Sequence, residues 1–297
     1  MPRPLLFLYF MRFPMTTITL PAYAKLNLTL DILSKRNDGY HDLSMVMQSI
    51  SLHDDVTVTL TEESGIVCRC GTLPGDDSNL AVKAAGAFFT ETGIPPRGLL
   101  IDIEKRIPIQ AGMAGGSADA AAVLHALRAL LAPELTTQKL EAIGAQIGSD
   151  VPYCVRGGTV LAEGRGEKLT TLKAAPHFHV VICKPDFPIS TPALFKRSDT
   201  IEIVDRPDTE GMLIAIEEGD ALGVSARVFN VFEAVLDAKD RDVFTIKERL
   251  LSLGAAAAAM TGSGPTVFGL FIDESKAKSA FDTLKTGYAQ TYLAEFV

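Results

Sequence analysis

The chain has 297 residues, of which 47% are hydrophobic and 22% charged, a composition typical of globular and not of disordered proteins. The formal net charge is −8 and no basic patch is visible, which argues against a nucleic-acid partner. Four cysteines are too few for a disulfide scaffold, and reduced thiols predict a cytoplasmic protein.

The N-terminal segment differs from the rest of the chain. An apolar run at 5–11 is too short to span a bilayer and lacks the small-residue cleavage site of a signal peptide, so no membrane partner is expected. We interpret residues 1–15 as an N-terminal extension, 16–164 as a first domain and 165–297 as a second domain. The glycine-containing segment 164–166 marks the predicted boundary.

The first third of the chain is rich in strand patterns. Alternating or β-branched apolar residues predict strands at 18–33, 43–52, 56–60, 65–70 and 99–104. Ser78 or Asn79 can cap a helix that runs to about residue 92. Cys68 and Cys70 alternate within a strand, which favours small buried hydrophobes over a metal or redox pair.

Helical and strand patterns are mixed in the remainder. Helices are predicted at 117–131, 136–147, 209–217, 221–236, 242–253 and 274–285. Strands are predicted at 153–162, 178–184, 257–260 and 266–272, and again after 285. Because no regular βαβ rhythm appears, we predict an α+β fold rather than a doubly wound sheet.

Residues 108–121 form a loop of mostly small residues, Pro-Ile-Gln-Ala-Gly-Met-Ala-Gly-Gly-Ser-Ala-Asp-Ala-Ala, between a predicted strand and a predicted helix. Small residues let the backbone approach a ligand, and successive N–H groups at a helix N-terminus attract anions. The loop has neither the Gly-Lys-Ser/Thr of a Walker A loop nor the glycine spacing of a dinucleotide fingerprint. It predicts a phosphate cradle, although a ligand-free helix cap has the same pattern.

Three motifs in chain order resemble those of the GHMP kinase superfamily. The loop is similar to the superfamily's ATP loop, with Met113 at the usual leucine and Ala114 where glycine is frequent. Pro-Ala-Tyr-Ala-Lys-Leu-Asn-Leu at 21–28 and Met-Thr-Gly-Ser-Gly-Pro-Thr-Val-Phe at 260–268 are similar to its first and third motifs. The resemblance implies a two-lobed fold, with a ribosomal S5 domain 2-like N-terminal lobe and an α/β C-terminal lobe.

The same resemblance implies ATP as the phosphoryl donor and Mg²⁺ as its metal ion. It does not identify the metal ligands, for which Ser117 is a candidate. Lys105, just before the loop, could equally reach a phosphate or lie in solvent. The residues implied to bind ATP are Pro108, Ile109, Gln110, Ala111, Gly112, Met113, Ala114, Gly115, Gly116, Ser117 and Ala118.

Four shorter signatures are Lys-Leu-Asn-Leu at 25–28, Arg-x-Asp-Gly-Tyr-His at 36–41, Gly-Ser-Asp-Val-Pro at 148–152 and Thr-Pro-x-x-Phe at 191–195. Together they resemble the branch of the superfamily that phosphorylates the 2-hydroxyl of a small molecule, 4-diphosphocytidyl-2-C-methyl-D-erythritol, in the non-mevalonate isoprenoid pathway. A GHMP kinase for another alcohol, such as homoserine or mevalonate, and a non-catalytic nucleotide sensor are the alternatives. The oligomeric state is left open.

The resemblance implies two catalytic residues. Asp150 alone would be an exposed turn aspartate, but the resemblance implies a general base that accepts the proton of the substrate hydroxyl. Lys25 would usually point to solvent from its strand, but the resemblance places it beside Asp150, where it holds the carboxylate ionised.

The remaining implied residues bind the substrate. Tyr40 and Phe195 are implied to sandwich the cytosine ring, and His41 to recognise the edge of the base. Asn27 and Thr191 are implied to make further polar contacts.

Overall fold

The computed structural model describes residues 16–297. The extension predicted for residues 1–15 lies outside this part of the chain. The described strands are β1 (Thr17–Lys35), β2 (His41–Thr61), β3 (Ile66–Arg69), β4 (Gly98–Glu104), β5 (Thr159–Gly164), β6 (Lys168–Thr171), β7 (His179–Lys184), β8 (Phe229–Asn230), β9 (Ala257–Met260), β10 (Val267–Phe271) and β11 (Gln290–Glu295).

The helices lie between these strands and cover the two sheets that they form. They are α1 (Leu80–Thr92), α2 (Gly115–Leu131), α3 (Thr137–Ala145), α4 (Val151–Arg156), α5 (Thr191–Ser198), α6 (Thr209–Glu218), α7 (Ala221–Ala226), α8 (Asp242–Ser252) and α9 (Glu274–Lys285). As predicted, the Asn79 side chain caps α1, accepting from the backbone N–H of Ala81 at 2.9 Å.

The first sheet is built on two long antiparallel strands. β1 and β2 pair from Thr17 opposite Thr59 to Lys35 opposite His41, within the order β3-β4-β2-β1-β8. β2 also pairs with β5, and β5 with β6. α2 packs across β1 and against α1, where its alanine-rich face lets the backbones approach closely.

The second sheet has the order β11-β7-β10-β9, and all of its neighbouring strands are antiparallel. α8 packs on β9 and β10, and α9 on β7 and β11. An antiparallel sheet with helices packed on it fits the α+β prediction, which is confirmed.

Four predicted elements differ from those observed. The strands predicted at 43–52 and 56–60 are one continuous strand, β2. The strand predicted at 153–162 is wrong in its first part, because α4 occupies Val151–Arg156 and only then does β5 begin. A short apolar run does not distinguish a buried helix from a strand, and Pro152 in the first turn favours the helix.

The long helix predicted at 221–236 is also wrong. α7 ends at Ala226, and the next residues form β8 and a 3₁₀ turn at Val231–Val235. Two contacts hold this irregular backbone: β8 pairs with β1, and the Asn230 side chain accepts from the N–H of Phe232 at 3.0 Å. α5 was not predicted; it begins with Thr191 and has Pro192 in its first turn.

The division into lobes follows the sheets. The predicted boundary, residues 164–166, covers the last residue of β5 and the start of the turn to β6, and both strands belong to the first sheet. The second sheet begins at β7, so the topology favours a division within 172–178, and the domain limits stay a proposal. Within residues 16–297, no helix is both long and apolar enough to cross a lipid bilayer.

Candidate active site

A cleft of about 1150 Å³ lies between the glycine-rich loop, the end of β1, the start of α4, α5 and the hairpin between β9 and β10. The predicted catalytic and substrate residues all line it, together with part of the predicted ATP loop: Lys25, Asn27, Tyr40, His41, Asp150, Thr191, Phe195, Gln110, Gly112 and Ala114. Segments far apart in the sequence therefore meet in one cavity.

The three motifs meet on β1. The backbone N–H of Lys25 donates to the carbonyl of Met113 in the loop at 3.3 Å. The backbone N–H of Asn27 donates to the hydroxyl of Thr261 in the hairpin at 3.0 Å. Asn230, which sequence analysis missed, donates from its amide to the carbonyls of Met260 at 2.7 Å and Gly262 at 2.9 Å.

The loop and the hairpin also touch backbone to backbone. Gly112 has a φ of +72°, and a Cβ there would overlap the carbonyl oxygen of Thr261. A Cβ on Gly262 would lie 2.7 Å from the carbonyl oxygen of Gly112. Only glycine fits this approach, so the packing of the loop against the hairpin requires both residues.

The start of α2 is suited to binding an anion. Its N-cap residue is Ala114, at φ +59°, and no side chain hydrogen-bonds to the first turn. The N–H groups of that turn are therefore free for a ligand and carry the positive end of the helix dipole. Pro108, Ala111, Met113 and Ala118 are buried and support the loop, whereas Ile109, Gln110 and Gly116 are exposed.

Lys105 lies against this helix end rather than in solvent. Its ammonium is 3.4 Å from where a Cβ on Gly115 would be, and it donates to Asp119 at 2.7 Å and to Asp54. Burial alone would lower the pKa of Lys105, but the two carboxylates raise it. Oδ1 of Asp119 is buried and has no hydrogen-bond partner. Among the side chains of residues 16–297, the hydroxyl of Thr266 is the only other buried polar group without one.

Asp150 is the N-cap residue of α4, yet its carboxylate takes no hydrogen bond from that helix. The carboxylate lies half-buried on the cleft wall. Lys25 is only 4% exposed and donates to the side-chain oxygen of Asn27 at 2.6 Å, which fixes the ammonium beside the cleft. Burial lowers the pKa of Lys25, and the nearby Asp150 carboxylate opposes that shift.

His41 also lines the cleft, where it is buried under α5. Its ring stacks on Phe195 with 4.7 Å between centroids, and its Nε2 lies 2.7 Å from Oδ1 of Asp199. The hydrogen bond from His41 lowers the pKa of the Asp199 carboxyl, so the carboxylate accepts and Nε2 donates. In the tautomer that carries its proton on Nε2, the imidazole has Nδ1 as an acceptor.

Tyr40 and Phe195 both line the cleft, and each ring already has neighbours. His41 covers one face of Phe195, and Phe232 meets that ring edge-on at 5.0 Å. Tyr40 is 55% exposed, and the guanidinium of Arg165 lies over its ring, 4.9 Å from the centroid. The sandwich implied by the family resemblance thus stays a prediction, and Tyr40 is the ring with exposed surface.

Several residues of the site escaped sequence analysis. Asp199 and Arg165 lie in polar stretches without a motif, and Asp54 is one of many acidic residues. Asp119 was within the quoted loop but had no assigned role. Thr191 was predicted, but its partner was not: its hydroxyl lies 2.6 Å from that of Ser263 in the third motif.

Comparisons with known proteins agree with this geometry. The model of the GHMP kinases N terminal domain matches residues 79–158, and that of the GHMP kinases C terminal matches residues 212–290. The 4-diphosphocytidyl-2-C-methyl-D-erythritol kinase of Caldicellulosiruptor saccharolyticus is 42% identical over 268 residues, 90% of this chain and 92% of the relative. That of Clostridium kluyveri is 43% identical over 278 residues, 93% of this chain and 99% of the relative.

Solved structures give the same result. A crystal structure of 4-(cytidine 5'-diphospho)-2C-methyl-D-erythritol kinase has a TM-score of 0.80 at 30% identity, covering 94% of this chain and 99% of that chain. A homoserine kinase from Cytophaga hutchinsonii has a TM-score of 0.73 at 17% identity over 98% of this chain and 97% of its own, which is a likeness of fold alone. Because relatives of this identity span nearly the whole of both chains, the chain belongs to the GHMP kinase superfamily and, within it, to the 4-diphosphocytidyl-2-C-methyl-D-erythritol kinase family.

Proposed function

We propose that this kinase transfers the γ-phosphoryl group of ATP to the 2-hydroxyl of 4-diphosphocytidyl-2-C-methyl-D-erythritol, giving the 2-phosphate and ADP. One juxtaposition supports this function most directly. The carboxylate of Asp150, which makes no cap hydrogen bond, lines one cleft together with the start of α2, which no side chain caps, and with His41, whose Nε2 lies 2.7 Å from Asp199. The start of α2 can bind the donor phosphate, Asp150 can accept the proton of the hydroxyl, and His41 can contact the pyrimidine.

ATP would place its phosphates on residues 108–118. The free N–H groups at the start of α2 donate to the phosphate oxygens, and the Lys105 ammonium beside Gly115 adds positive charge. Asp54 and Asp119 hold that ammonium in place through salt bridges. Since phosphoryl transfer demands mainly positioning and charge neutralisation, this cradle supplies much of what the reaction needs.

Asp150 accepts the proton of the 2-hydroxyl as that oxygen attacks the γ-phosphorus and the bond to the bridging oxygen of ADP breaks. Lys25 stabilises the negative charge that develops on the attacking oxygen. Asn27 orients Lys25 through its 2.6 Å hydrogen bond, which gives this predicted substrate residue a positioning role. A buried ammonium is effective here because charge interactions are weakly screened in a dry site.

The cytidine end of the substrate would lie near His41. The exocyclic amino group of cytosine is a donor and matches the Nδ1 acceptor, whereas uracil presents an acceptor oxygen at that position. The base would stack on the exposed ring of Tyr40. Phe195 supports His41 by stacking, and Thr191 with Ser263 lines the path between the base and the phosphates.

The residues of the site also fit Mg²⁺, which prefers oxygen ligands. The unpaired Oδ1 of Asp119 and the hydroxyl of Ser117, both in the first turns of α2, would hold the ion together with phosphate oxygens. When bound, Mg²⁺ supplies neutralisation of the negative charge on the triphosphate.

Two observations weigh against the rival functions. A non-catalytic nucleotide sensor would not need Lys25 and Asp150 close together on the lining of the cleft. A kinase for homoserine or mevalonate would not need the stacked His41 and Phe195 or the carboxylate that holds the histidine. A cytoplasmic location, expected from the free cysteines, is part of the proposal.

The deciding experiment incubates the purified chain with ATP, Mg²⁺ and 4-diphosphocytidyl-2-C-methyl-D-erythritol, with homoserine and mevalonate as parallel acceptors. The expected result is ADP and a singly phosphorylated product from the cytidine compound alone. ADP formation with one of the other alcohols, or ATP binding without transfer to any of the three, would contradict the proposed function.

A further inference from the structure

A group of metal-ligating side chains lies outside the cleft, on the second sheet. Phe178, just before β7, is fully buried, and the rings of its two neighbours, His177 and His179, lie together with 4.9 Å between their centroids. In the antiparallel pairing of β7 with β11, Glu295 stands directly opposite His179. The register therefore brings two imidazoles and one carboxylate to the same face.

The three side chains are close enough to share one ion. One ligand atom from each lies within 4.8 Å of the other two, and Nε2 of His177 is 3.8 Å from Oε2 of Glu295. Ligands of a tetrahedral zinc ion, at about 2.0–2.1 Å from the metal, are roughly 3.4 Å apart. The His177 and Glu295 side chains are 58% and 53% exposed, so they can rotate and bring their ligand atoms to the separation that a zinc ion requires.

We propose that His177, His179 and Glu295 form a binding site for a divalent transition-metal ion such as Zn²⁺, separate from the catalytic cleft and joining β7 to β11. Two imidazole nitrogens and a carboxylate oxygen are a ligand set that Zn²⁺ accepts, and solvent on the exposed side supplies the remaining ligand as water. None of the three residues lines the catalytic cleft, so the site would act on stability rather than on turnover.

The backbone beneath the site is well held. The Phe178 and Phe296 rings pack edge to face with 5.4 Å between centroids, and the N–H of Phe296 donates to the carbonyl of Phe178 at 3.3 Å. The N–H of Glu295 donates to the hydroxyl of Ser51 at 3.0 Å. Binding therefore requires movement of side chains only, and an ion bound to the folded state alone raises the melting temperature.

The choice of ion separates this site from the nucleotide site. Mg²⁺ prefers oxygen ligands and keeps much of its hydration, so a site with two imidazoles should discriminate strongly against it. Heat of binding and a raised melting temperature with Zn²⁺ in the absence of nucleotide, and neither with Mg²⁺, would therefore indicate binding at His177, His179 and Glu295.

The test uses the full chain without a histidine tag, stripped of metal and titrated with ZnCl₂ or MgCl₂ in a calorimeter. We expect one Zn²⁺ per chain, a raised melting temperature with Zn²⁺, and no heat with Mg²⁺. His179→Ala and Glu295→Gln should each weaken Zn²⁺ binding by about tenfold or more, a loss at least as large as outer-shell changes produce at known sites.

His53→Ala is the matched control, since His53 is a partly exposed histidine of the first sheet and should leave Zn²⁺ affinity unchanged. Circular dichroism of each variant would verify that the fold is retained. No saturable Zn²⁺ binding by the wild-type chain would overturn the proposal. Binding that survives His179→Ala and Glu295→Gln together would also overturn it, because the ion would then lie elsewhere, for example on a free thiol.

Discussion

At the scale of single residues, Asp150 and Lys25 carry the proposed proton transfer. Asp150→Asn should lower kcat by about 10²–10⁴-fold, the usual loss for a general base, while ATP affinity stays close to wild type. The reason is that the carboxylate faces the accepting hydroxyl rather than the nucleotide. Steady-state kinetics with a separate measurement of ATP binding would check this, and a kcat near wild type would rule Asp150 out as the base.

Lys25→Ala should also lower kcat strongly, and it leaves the Asn27 amide without its 2.6 Å partner. If both residues act on the same developing charge, the double variant should be much less impaired than the product of the single losses. If the loss of kcat in the double variant equalled the product of the two single losses, the two residues would act independently. Asn27→Ala should reproduce part of the Lys25 effect, because it releases the ammonium from its fixed position.

The base selectivity should depend on Asp199, a residue that acts through His41. Asp199→Asn removes the charged acceptor that fixes Nε2 as a donor, so Nδ1 is no longer held as an acceptor for cytosine. A mismatched buried polar group costs roughly 1–3 kcal/mol, so the ratio of kcat/KM for the cytidine and uridine substrates should fall by about tenfold or more.

Lys35→Ala is the control for that variant. Lys35 contacts the other oxygen of Asp199 at 2.5 Å and does not touch the His41 hydrogen bond. It should leave the cytidine-to-uridine ratio nearly unchanged. An equal loss in both variants would mean that Asp199 contributes general charge and does not orient His41. Wild-type enzyme that used both substrates equally would refute base recognition by His41.

The free energy of unfolding should depend on pH through the carboxyl group of Asp119. Burial raises its pKa to about 7, against the opposing charge of Lys105, from about 3.9 in an unfolded chain. The stability that the neutral carboxyl contributes is therefore present below about pH 4 and lost as the pH rises through about 7. Asp119→Asn stays neutral, so its free energy of unfolding relative to wild type should increase from about pH 4 to pH 8. Denaturant titrations across that range would measure it; a constant difference would contradict the raised pKa.

At the scale of elements, the glycine-rich loop contains glycines with different roles. A Cβ on Gly116 would meet only Leu80, at 3.7 Å, so the fold tolerates a side chain that ATP should not. Gly116→Val should weaken ATP binding by about tenfold, equivalent to about 1.4 kcal/mol, with little change in melting temperature or in affinity for the cytidine substrate.

Gly112→Ala should behave differently, because its Cβ would overlap Thr261 and its φ is +72°. A lower melting temperature is expected there, with both ligands bound less well. If Gly116→Val also lowered the melting temperature and weakened both ligands equally, the exposed part of the loop would be a packing element and not a phosphate cradle.

At the scale of the whole molecule, the last residues of the described chain link the two sheets. Phe296 is 9% exposed, packs on Phe178, the residue just before β7 of the second sheet, and forms a bridge with Ile50 of the first. Phe296→Ala should reduce the free energy of unfolding by about 3 kcal/mol, the lower part of the range for buried aromatic residues. Urea denaturation would measure this, with Leu293→Ala, 39% exposed on β11, as the control with the smaller loss. Equal losses would show that Phe296 does not join the sheets.

The sequence alone determined a large part of this protein. Local patterns predicted α1, α2, α3, α8, α9 and most strands, because caps, turns and hydrophobic periods act over short distances. Three motifs in order predicted the superfamily, since a loop that binds phosphate requires small residues at fixed spacing. The family resemblance also indicated each of Lys25, Asn27, Tyr40, His41, Asp150, Thr191 and Phe195, all of which line the cleft.

Only the tertiary structure decided how those residues contact one another. Sequence spacing does not show that His41 stacks on Phe195, that Asp199 holds it from 158 positions away, or that Asp54 and Asp119 clamp Lys105. α4 was predicted as a strand because a short apolar run is compatible with both structures, and burial on α2 and α3 decides between them. Pairing between distant segments depends on packing and register, which no local pattern encodes.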